Sequence, residues 1–219
     1  MMRSRRLSSI GLLAAACFLI TVTVTAQEPA SIKLPTPVTT GGKPLMDVLK
    51  QRQSAREFSP DTLSRQTLSN LLWAAWGINR ADGRRTAPSA SNRQEIEIYV
   101  TLPEGAFRWD AAANTLNPVS PEDLRAATGT QPFPAAAPVN LVFVADTAKL
   151  TRPGTDPQQM LNIGADAGFI SENLYLFCTS EGLATVVRAS VAKEPLAKAL
   201  KLRETQVIVL AQTVGYPKK

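Results

Sequence analysis

The clearest periodic pattern in the chain lies between residues 64 and 77. Apolar side chains recur there at the spacing that places them on one face of a helix, at Leu68, Leu71, Leu72, Ala75 and Trp76. Ser64 can cap the start of this helix, because a serine hydroxyl accepts a hydrogen bond from a backbone N–H of the first turn, and Gly77 suits its end. The pattern predicts an amphipathic helix packed on a core.

A longer apolar stretch from Asp156 to Glu181 predicts a helix about 39 Å long, at 1.5 Å per residue. Large side chains leave it little polar face, at Phe169, Ile170, Leu174, Leu176, Phe177 and Cys178. Gly164 and Gly168 are four residues apart, so another helix can approach closely. Gly182 is expected to end the helix, and Asp166 is interpreted as a buried hydrogen-bonding residue. We therefore expect this helix to be buried on most sides.

Two other patterns predict strands. In Glu95–Leu102 apolar residues alternate with polar ones, whereas Val139–Ala145 and Val207–Val214 are continuous apolar runs typical of buried strands. Three shorter segments also favour extended structure: Ala106–Trp109, Thr115–Val119 and Ala184–Val187. Strands and helices follow no regular βαβ repeat, and no glycine-rich dinucleotide-binding loop joins a strand to a helix. The sequence therefore predicts a domain of mixed α and β structure.

Short helices are predicted at Pro44–Gln51 and Lys193–Leu200. The run Ser120–Asp123 also has the cap, the proline and the acidic residues of a helix start. Upstream, Gln27–Gly42 is rich in proline and glycine and has few large apolar residues, which is typical of an extended arm or linker. We expect an arm over residues 27–43 and one folded domain over residues 44–219.

The first 26 residues have the pattern of an export signal. A basic start is followed by the mostly apolar run Leu7–Val24, and Val24-Thr25-Ala26 predicts cleavage before Gln27. A retained anchor is an alternative, because the run is just short of the ~20 residues that span a bilayer. A lipoprotein is disfavoured, since apolar residues continue after Cys17, and the arginine pair hints only weakly at the twin-arginine route. We expect a periplasmic protein.

The composition restricts the chemistry. The 219 residues include no histidine, which excludes Ser-His-Asp and Cys-His catalysis and most zinc and haem sites, so no metal is expected. An enzyme of this composition depends on another acid or base, or on a cofactor. After residue 26 the single cysteine is Cys178, which lies in an apolar helical stretch and is expected to be a buried, unreactive thiol.

The net charge of +6 overstates the basicity of the folded part. Without Arg3, Arg5 and Arg6 of the first 26 residues, 21 of the 24 basic residues remain against 18 acidic residues, a net charge of +3. This is ordinary for a globular domain. It gives no support for nucleic-acid binding, which usually needs a concentrated basic face.

One candidate binding segment follows the first predicted helix. Arg52, Ser54 and Arg56 occupy alternate positions, so in an extended chain their side chains point the same way. Arginine binds phosphate oxygens bidentately, and these three donors can converge on one phosphate. A solvated basic turn is the alternative that the spacing alone leaves open.

A second candidate segment contains Pro88, Ser89, Ala90, Asn92 and Gln94. Its backbone and small polar groups can face a flat polar ring, although an ordinary loop before the strand at Glu95 is equally compatible. Together with Gly215-Tyr216-Pro217 near the C-terminus, the two segments resemble the nitroreductase family. The resemblance extends from about Pro44 to Lys219.

The resemblance implies a nitroreductase-like α+β fold, with a central, mainly antiparallel sheet flanked by helices and a long buried helix at the core of a homodimer. It implies FMN as the cofactor, with Arg52, Ser54 and Arg56 at its phosphate and ribityl chain. Pro88, Ser89, Ala90 and Asn92 would then lie against a flavin that is held mainly by the partner subunit.

Other site residues follow from the same resemblance. Gln131 corresponds to an amide that reaches the flavin edge in relatives, although a plain loop glutamine is an open alternative. Leu183 and Ala184 resemble a turn whose backbone approaches the flavin, with alanine where the family has glycine. Lys218 and Lys219 stand where a basic residue holds the phosphate, unless they form a frayed terminus.

The implied activity is that of an exported FMN-dependent oxidoreductase. It would pass two electrons through flavin N5 to a small acceptor such as a nitroaromatic or a quinone. NAD(P)H is the usual donor but is not expected outside the cytoplasm, so another redox partner is an alternative. A non-catalytic FMN-binding protein for storage or sensing also stays open, as does a specialised azoline-type dehydrogenase or flavin-consuming enzyme. Arg188 would face the flavin or the substrate, or form a surface salt bridge, which is the simpler expectation.

Overall fold

The computed structural model describes residues 30–150 and 156–218, so the predicted export signal and Lys219 lie outside the described residues. Its strands are β1 (Ile32–Lys33), β2 (Ile96–Leu102), β3 (Gly105–Asp110), β4 (Thr115–Ser120), β5 (Val139–Asp146), β6 (Ala184–Arg188) and β7 (Gln206–Gly215). Its α-helices are α1 (Leu45–Gln51), α2 (Arg65–Trp76), α3 (Phe133–Ala136), α4 (Pro157–Glu181) and α5 (Lys193–Ala199). Across these two ranges, no helix combines the length and the apolar character needed to cross a membrane.

The strands form a seven-stranded sheet in the described part of the chain. Its order is β1-β4-β3-β2-β5-β7-β6, and each neighbouring pair is antiparallel. The α+β fold class predicted from the sequence is therefore confirmed. The central strand β5 is buried at all eight positions, as its continuous apolar run predicted.

Both faces of the sheet are covered, which explains why β5 shows no alternation. Leu141 and Phe143 pack into the larger core, which includes residues of α2 and α4. Val142 and Val144 point to the other face, where they pack with Leu196 of α5. Successive side chains of a strand point to opposite faces, so a strand covered on both sides needs apolar residues throughout.

The predicted cap at Ser64 and the predicted helix end at Gly182 are confirmed, and Asp156 is a further cap. Ser64 Oγ accepts a hydrogen bond of 3.0 Å from Thr67 N at the start of α2. Asp156 does the same for Gln159 N at the start of α4, and Gly182 ends that helix in the left-handed conformation, with φ of 72°. These caps satisfy backbone groups that have no partner within the helix.

One element was not predicted, and one local prediction is wrong. The arm before residue 43 contains the edge strand β1, paired with β4, and its Leu34 is buried in the core. A two-residue strand is too short to show alternation. The helix start predicted at Ser120–Asp123 is wrong, because Ser120 is paired with Ala106 as the last residue of β4 and Arg125 binds the Asp123 carboxylate.

The burial of α4 is one-sided within the chain. Its inner face carries Ile163, Ile170 and Leu174, all fully buried. On its outer face Leu161 and Phe169 are 66% and 47% exposed. Gly164 and Gly168 are open as well, because a Cβ added to either would meet no atom of the described chain within 4 Å. Within one chain α4 is therefore buried on one side, and burial of its outer face in a homodimer stays a prediction.

Candidate functional site

Arg52 and Ser54 lie against the exposed edge of β6. Arg52 ends α1, where its backbone N–H donates to Val48 O over 2.8 Å. Two residues later Ser54 Oγ lies 2.8 Å from the hydroxyl of Tyr175 on α4. Ala55 N then donates to Thr185 O over 3.0 Å. The first predicted binding segment is therefore attached to both α4 and the outermost strand.

The C-terminal residues bring a lysine to this edge. Phe58 forms an antiparallel bridge with Pro217, and Lys218 N donates to the Glu57 carbonyl over 3.4 Å. Lys218 thus lies beside the residue that follows Arg56. Both basic side chains are exposed, and neither forms an ion pair or a side-chain hydrogen bond within the described residues.

This arrangement suits a phosphate. The two arginines and Lys218 supply positive charge, and Ser54 supplies a hydroxyl, at one edge of the sheet. Among the described residues, none of the three cations has an acidic partner that would neutralise it. Sequence spacing predicted the arginines and the serine, and the family resemblance predicted Lys218. Folding brings this lysine to them from 162 positions further along the chain than Arg56.

The second predicted segment is a strained loop held by α4. Ala90 N donates to Asp166 Oδ2 over 2.9 Å, and Gln94 N donates to Ser89 Oγ over 3.1 Å. Ser91, Asn92 and Gln94 all have positive φ angles of 51–55°. Such angles cost roughly 1–3 kcal/mol per residue outside glycine, least for asparagine, and concentrate at functional sites.

The two segments do not meet within one chain. One is bound to Asp166 and the other to Tyr175, nine residues further along α4. Nine residues correspond to about 14 Å along the helix axis and two and a half turns, so these side chains leave opposite sides of α4. Pro88 and Asn92 are exposed on the loop, and no described contact joins them to the candidate phosphate-binding edge.

The structure also places the remaining predicted residues. Gln131 is exposed in a loop next to the end of β6, where Thr130 N donates to Ser190 O over 3.2 Å. Leu183 is buried at the end of α4, and Ala184 pairs with Gly215 as the first residue of β6. Leu183 and Ala184 therefore lie at the start of β6, and Gln131 lies near its other end.

The nitroreductase family model matches residues 49–216 of the chain. The chain belongs to the nitroreductase family. A protein from Methanocaldococcus jannaschii that carries a provisional nitroreductase name is 30% identical over an alignment of 176 residues. The match covers 76% of this chain and 88% of that protein. The matched range includes both predicted segments and β6.

Solved structures agree with this assignment. A crystal structure from Ralstonia eutropha JMP134, provisionally named a nitroreductase, is 40% identical with a TM-score of 0.82, covering 89% of this chain and 93% of that chain. A second one, from Desulfovibrio desulfuricans, is described as a complex with FMN. It is 18% identical with a TM-score of 0.59, covers 82% of this chain and 89% of that chain, and so shows likeness of fold.

Arg188 of this family member is buried, which corrects the surface salt bridge expected from the sequence. Its guanidinium donates to Thr128 O, Thr128 Oγ1, Asn140 Oδ1 and Thr213 Oγ1, and stacks over the Phe133 ring at 5.5 Å. No carboxylate of the described residues pairs with it. Burial lowers the pKa of Arg188 to about 10. This arginine cross-links the loop before α3 to the sheet.

Two buried carboxyl groups lie next to the loop of residues 88–94: Asp166, which accepts a hydrogen bond from the loop, and Glu95, which follows it in the chain. Asp166 is buried, as predicted, and Glu95 at the end of the loop is only 1% exposed, with Oε2 lacking a hydrogen-bond partner in the described chain. Burial raises the pKa of Glu95 to about 7, and the neighbouring Asp166 raises it further, against the opposing charge of Arg93. Sequence reasoning missed Glu95, whose only signal is an acid placed directly before an apolar strand.

Proposed function

We propose that this protein is an exported oxidoreductase that uses FMN to pass two electrons to a small acceptor such as a nitroaromatic or a quinone. The observation that carries the proposal is the gathering of Arg52, Ser54, Arg56 and Lys218 at the edge of β6 in a member of the nitroreductase family. FMN is the cofactor that this family membership indicates. When bound, FMN supplies the electron-transfer chemistry.

The donor set fits the phosphate end of FMN. Three cations and a hydroxyl match a dianionic phosphate, because arginine forms bidentate contacts and lysine adds a point charge. The side chains of Arg56 and Lys218 are exposed and unpaired in the described chain, so binding a phosphate would break no existing ion pair. The absence of histidine from the sequence accords with chemistry supplied by a cofactor.

The functional unit in this proposal is a homodimer. Both α1 and α4 carry exposed apolar side chains, at Leu45, Met46, Leu49, Leu161 and Phe169. Gly164 and Gly168 leave room there for a second helix. The distance between the two binding segments within one chain adds a second reason, because the loop of residues 88–94 can then complete a site held by the other subunit's Arg52 and Arg56.

Cofactor binding is tested by the absorbance spectrum of the purified protein lacking residues 1–26. The protein should be yellow, and heating should release FMN and not FAD, as chromatography of the supernatant would show. A colourless protein that stays colourless after incubation with FMN would refute the proposal.

Turnover is tested separately from binding. Protein reduced with dithionite under anaerobic conditions should be reoxidised rapidly by a nitroaromatic compound or a quinone, as followed by flavin absorbance. Reoxidation no faster than that of free reduced FMN would favour storage or sensing. Parallel reduction with NADH, NADPH and a quinol would identify the class of electron donor.

The dimer is tested by sedimentation and flavin absorbance on the same sample. Gly168→Leu should overpack the contact, at a typical cost of 1–3 kcal/mol, and reduce both the dimer fraction and the bound FMN. Lys198→Leu, an exposed change on α5, is the matched control and should alter neither. Wild-type monomers carrying a full complement of FMN would contradict the shared site.

Export is tested in the native host by cell fractionation and N-terminal sequencing. The mature protein should be recovered from the periplasm and begin at Gln27. Recovery from the cytoplasm with the first 26 residues intact would contradict export.

A further inference from the structure

Tyr175 contacts two residues of the candidate phosphate site, although no sequence motif indicated it. Its side chain extends from α4 and is 6% exposed. Its hydroxyl lies 2.8 Å from Ser54 Oγ and 3.0 Å from the backbone nitrogen of Val187 on β6. The guanidinium carbon of Arg52 lies 5.2 Å from the centroid of its ring. One side chain therefore contacts two of the predicted phosphate ligands and the strand beside them.

The direction of these hydrogen bonds follows from what each group can donate. The Val187 N–H is only a donor, so the Tyr175 oxygen accepts from it. The hydrogen of the Tyr175 hydroxyl can then be donated to Ser54 Oγ. In this arrangement the Ser54 hydrogen points away from the protein, and Ser54 Oγ makes no other hydrogen bond within the described chain. Successive hydrogen bonds of one direction polarise one another, which makes Ser54 a better donor to an anion.

Arg52 is oriented by the same side chain. A guanidinium over the face of a tyrosine ring is attracted by the ring electrons and keeps its N–H groups at the rim. No acid of the described residues pairs with Arg52, so its charge remains available to a ligand. The ring of Tyr175 thus orients Arg52, and its hydroxyl orients Ser54.

We propose that Tyr175 is a positioning residue that sets Ser54 and Arg52 for binding the phosphate of FMN. The proposal rests on the proposed function, because FMN is the source of the phosphate. Tyr175 acts through its neighbours and contacts neither the flavin ring nor the acceptor. If Tyr175 has this role, altering it should weaken the binding of ligands that carry the phosphate and leave the binding of ligands without the phosphate unchanged.

The test is a fluorescence titration of flavin-free protein with FMN and with riboflavin, which is FMN without its phosphate. Tyr175→Phe keeps the ring under Arg52 and removes the hydroxyl. Its Kd for FMN should rise about tenfold, which corresponds to ~1.4 kcal/mol, whereas its Kd for riboflavin should stay unchanged. Ser54→Ala should produce the same selective loss. The double variant should lose no more than either single variant, because the two hydroxyls act in series.

The matched control is Tyr99→Phe. Tyr99 is 5% exposed, and its hydroxyl accepts a hydrogen bond from Gln206 in the core on the other face of the sheet. Removing that hydroxyl should leave both affinities unchanged.

Three results would overturn the proposal. Unchanged FMN affinity in Tyr175→Phe would show that the hydroxyl does not position the ligands. Equal losses for FMN and riboflavin would assign Tyr175 a purely structural role. Additive losses in the double variant would show that Ser54 and Tyr175 act independently. Wild-type protein that binds neither flavin would be a different failure, because it would refute the proposed function and remove the phosphate role of Tyr175 with it.

Discussion

The backbone N–H of Ala90 donates a 2.9 Å hydrogen bond to Asp166 Oδ2, and this contact fastens the loop of residues 88–94 to the middle of α4. Asp166 is 2% exposed, so its oxygen gives the Ala90 N–H a hydrogen-bond acceptor inside the protein, where no water replaces it. The same helix carries Tyr175, whose hydroxyl contacts Ser54 at the candidate phosphate-binding edge. One helix therefore supports both candidate binding segments, from opposite sides.

The first prediction concerns this contact. Asp166→Ala should lower the free energy of unfolding by about 1–3 kcal/mol, because the Ala90 N–H is left without its acceptor. Asp166→Asn retains an acceptor oxygen and should cost less. Urea unfolding monitored by tryptophan fluorescence measures both variants. Equal losses in the two variants would show that the hydrogen bond to Ala90 contributes little.

The second prediction is a pH dependence of stability caused by Glu95. Its pKa is raised from 4.5 to about 7 by burial, so between these values the folded state binds more protons than the unfolded state. The stabilisation that Glu95 contributes is fully present below its pKa in the unfolded state. It is lost as the pH rises through its pKa in the folded state. The free energy of unfolding of the wild-type protein should therefore decrease over this interval.

Glu95→Gln tests the origin of that dependence. The variant should lose most of the decrease between about pH 5 and about pH 8, because glutamine does not titrate. Glu204→Gln, at an exposed position, is the control and should keep the wild-type slope. If Glu95→Gln also keeps that slope, the decrease arises from another group.

The third prediction concerns the phosphate contacts. Arg56→Ala and Arg52→Ala should each weaken FMN binding by roughly 1.5–3 kcal/mol, the scale of a hydrogen bond to a charged group, and should alter riboflavin binding little. Arg84→Ala, an exposed change whose partner is Asp82, is the control. Titration of flavin-free protein measures each affinity. Equal effects on the two flavins would indicate that the arginines support the fold.

The fourth prediction concerns Cys178. This thiol is fully buried, and burial raises its pKa well above the ordinary value, so the reactive thiolate is suppressed. Protein lacking residues 1–26 should show no reaction with a thiol reagent while folded and one equivalent in urea. Labelling of the folded protein at the rate of a free thiol would mean that α4 opens readily.

Local patterns were sufficient where neighbouring residues determine the structure. The helix capped by Ser64 and the left-handed end of α4 at Gly182 were predicted because their signals lie within a few residues. The edge strand β1 was missed, since its two residues pair with Leu116 and Thr115, far away in the sequence. The helix start at Ser120 failed because pairing with Ala106 outweighs the local capping signal.

The sequence by itself determined the α+β character, the alternating cationic segment of Arg52 and Arg56, and the absence of histidine chemistry. Each of these depends on composition or on positions close together in the chain. Only the tertiary structure decided that Tyr175 contacts Ser54 and that Glu95 is buried beside Asp166. Such contacts join residues up to 121 positions apart. They exist because packing on the sheet overcomes the entropy of closing long loops, and no local pattern records which distant side chains this packing brings together.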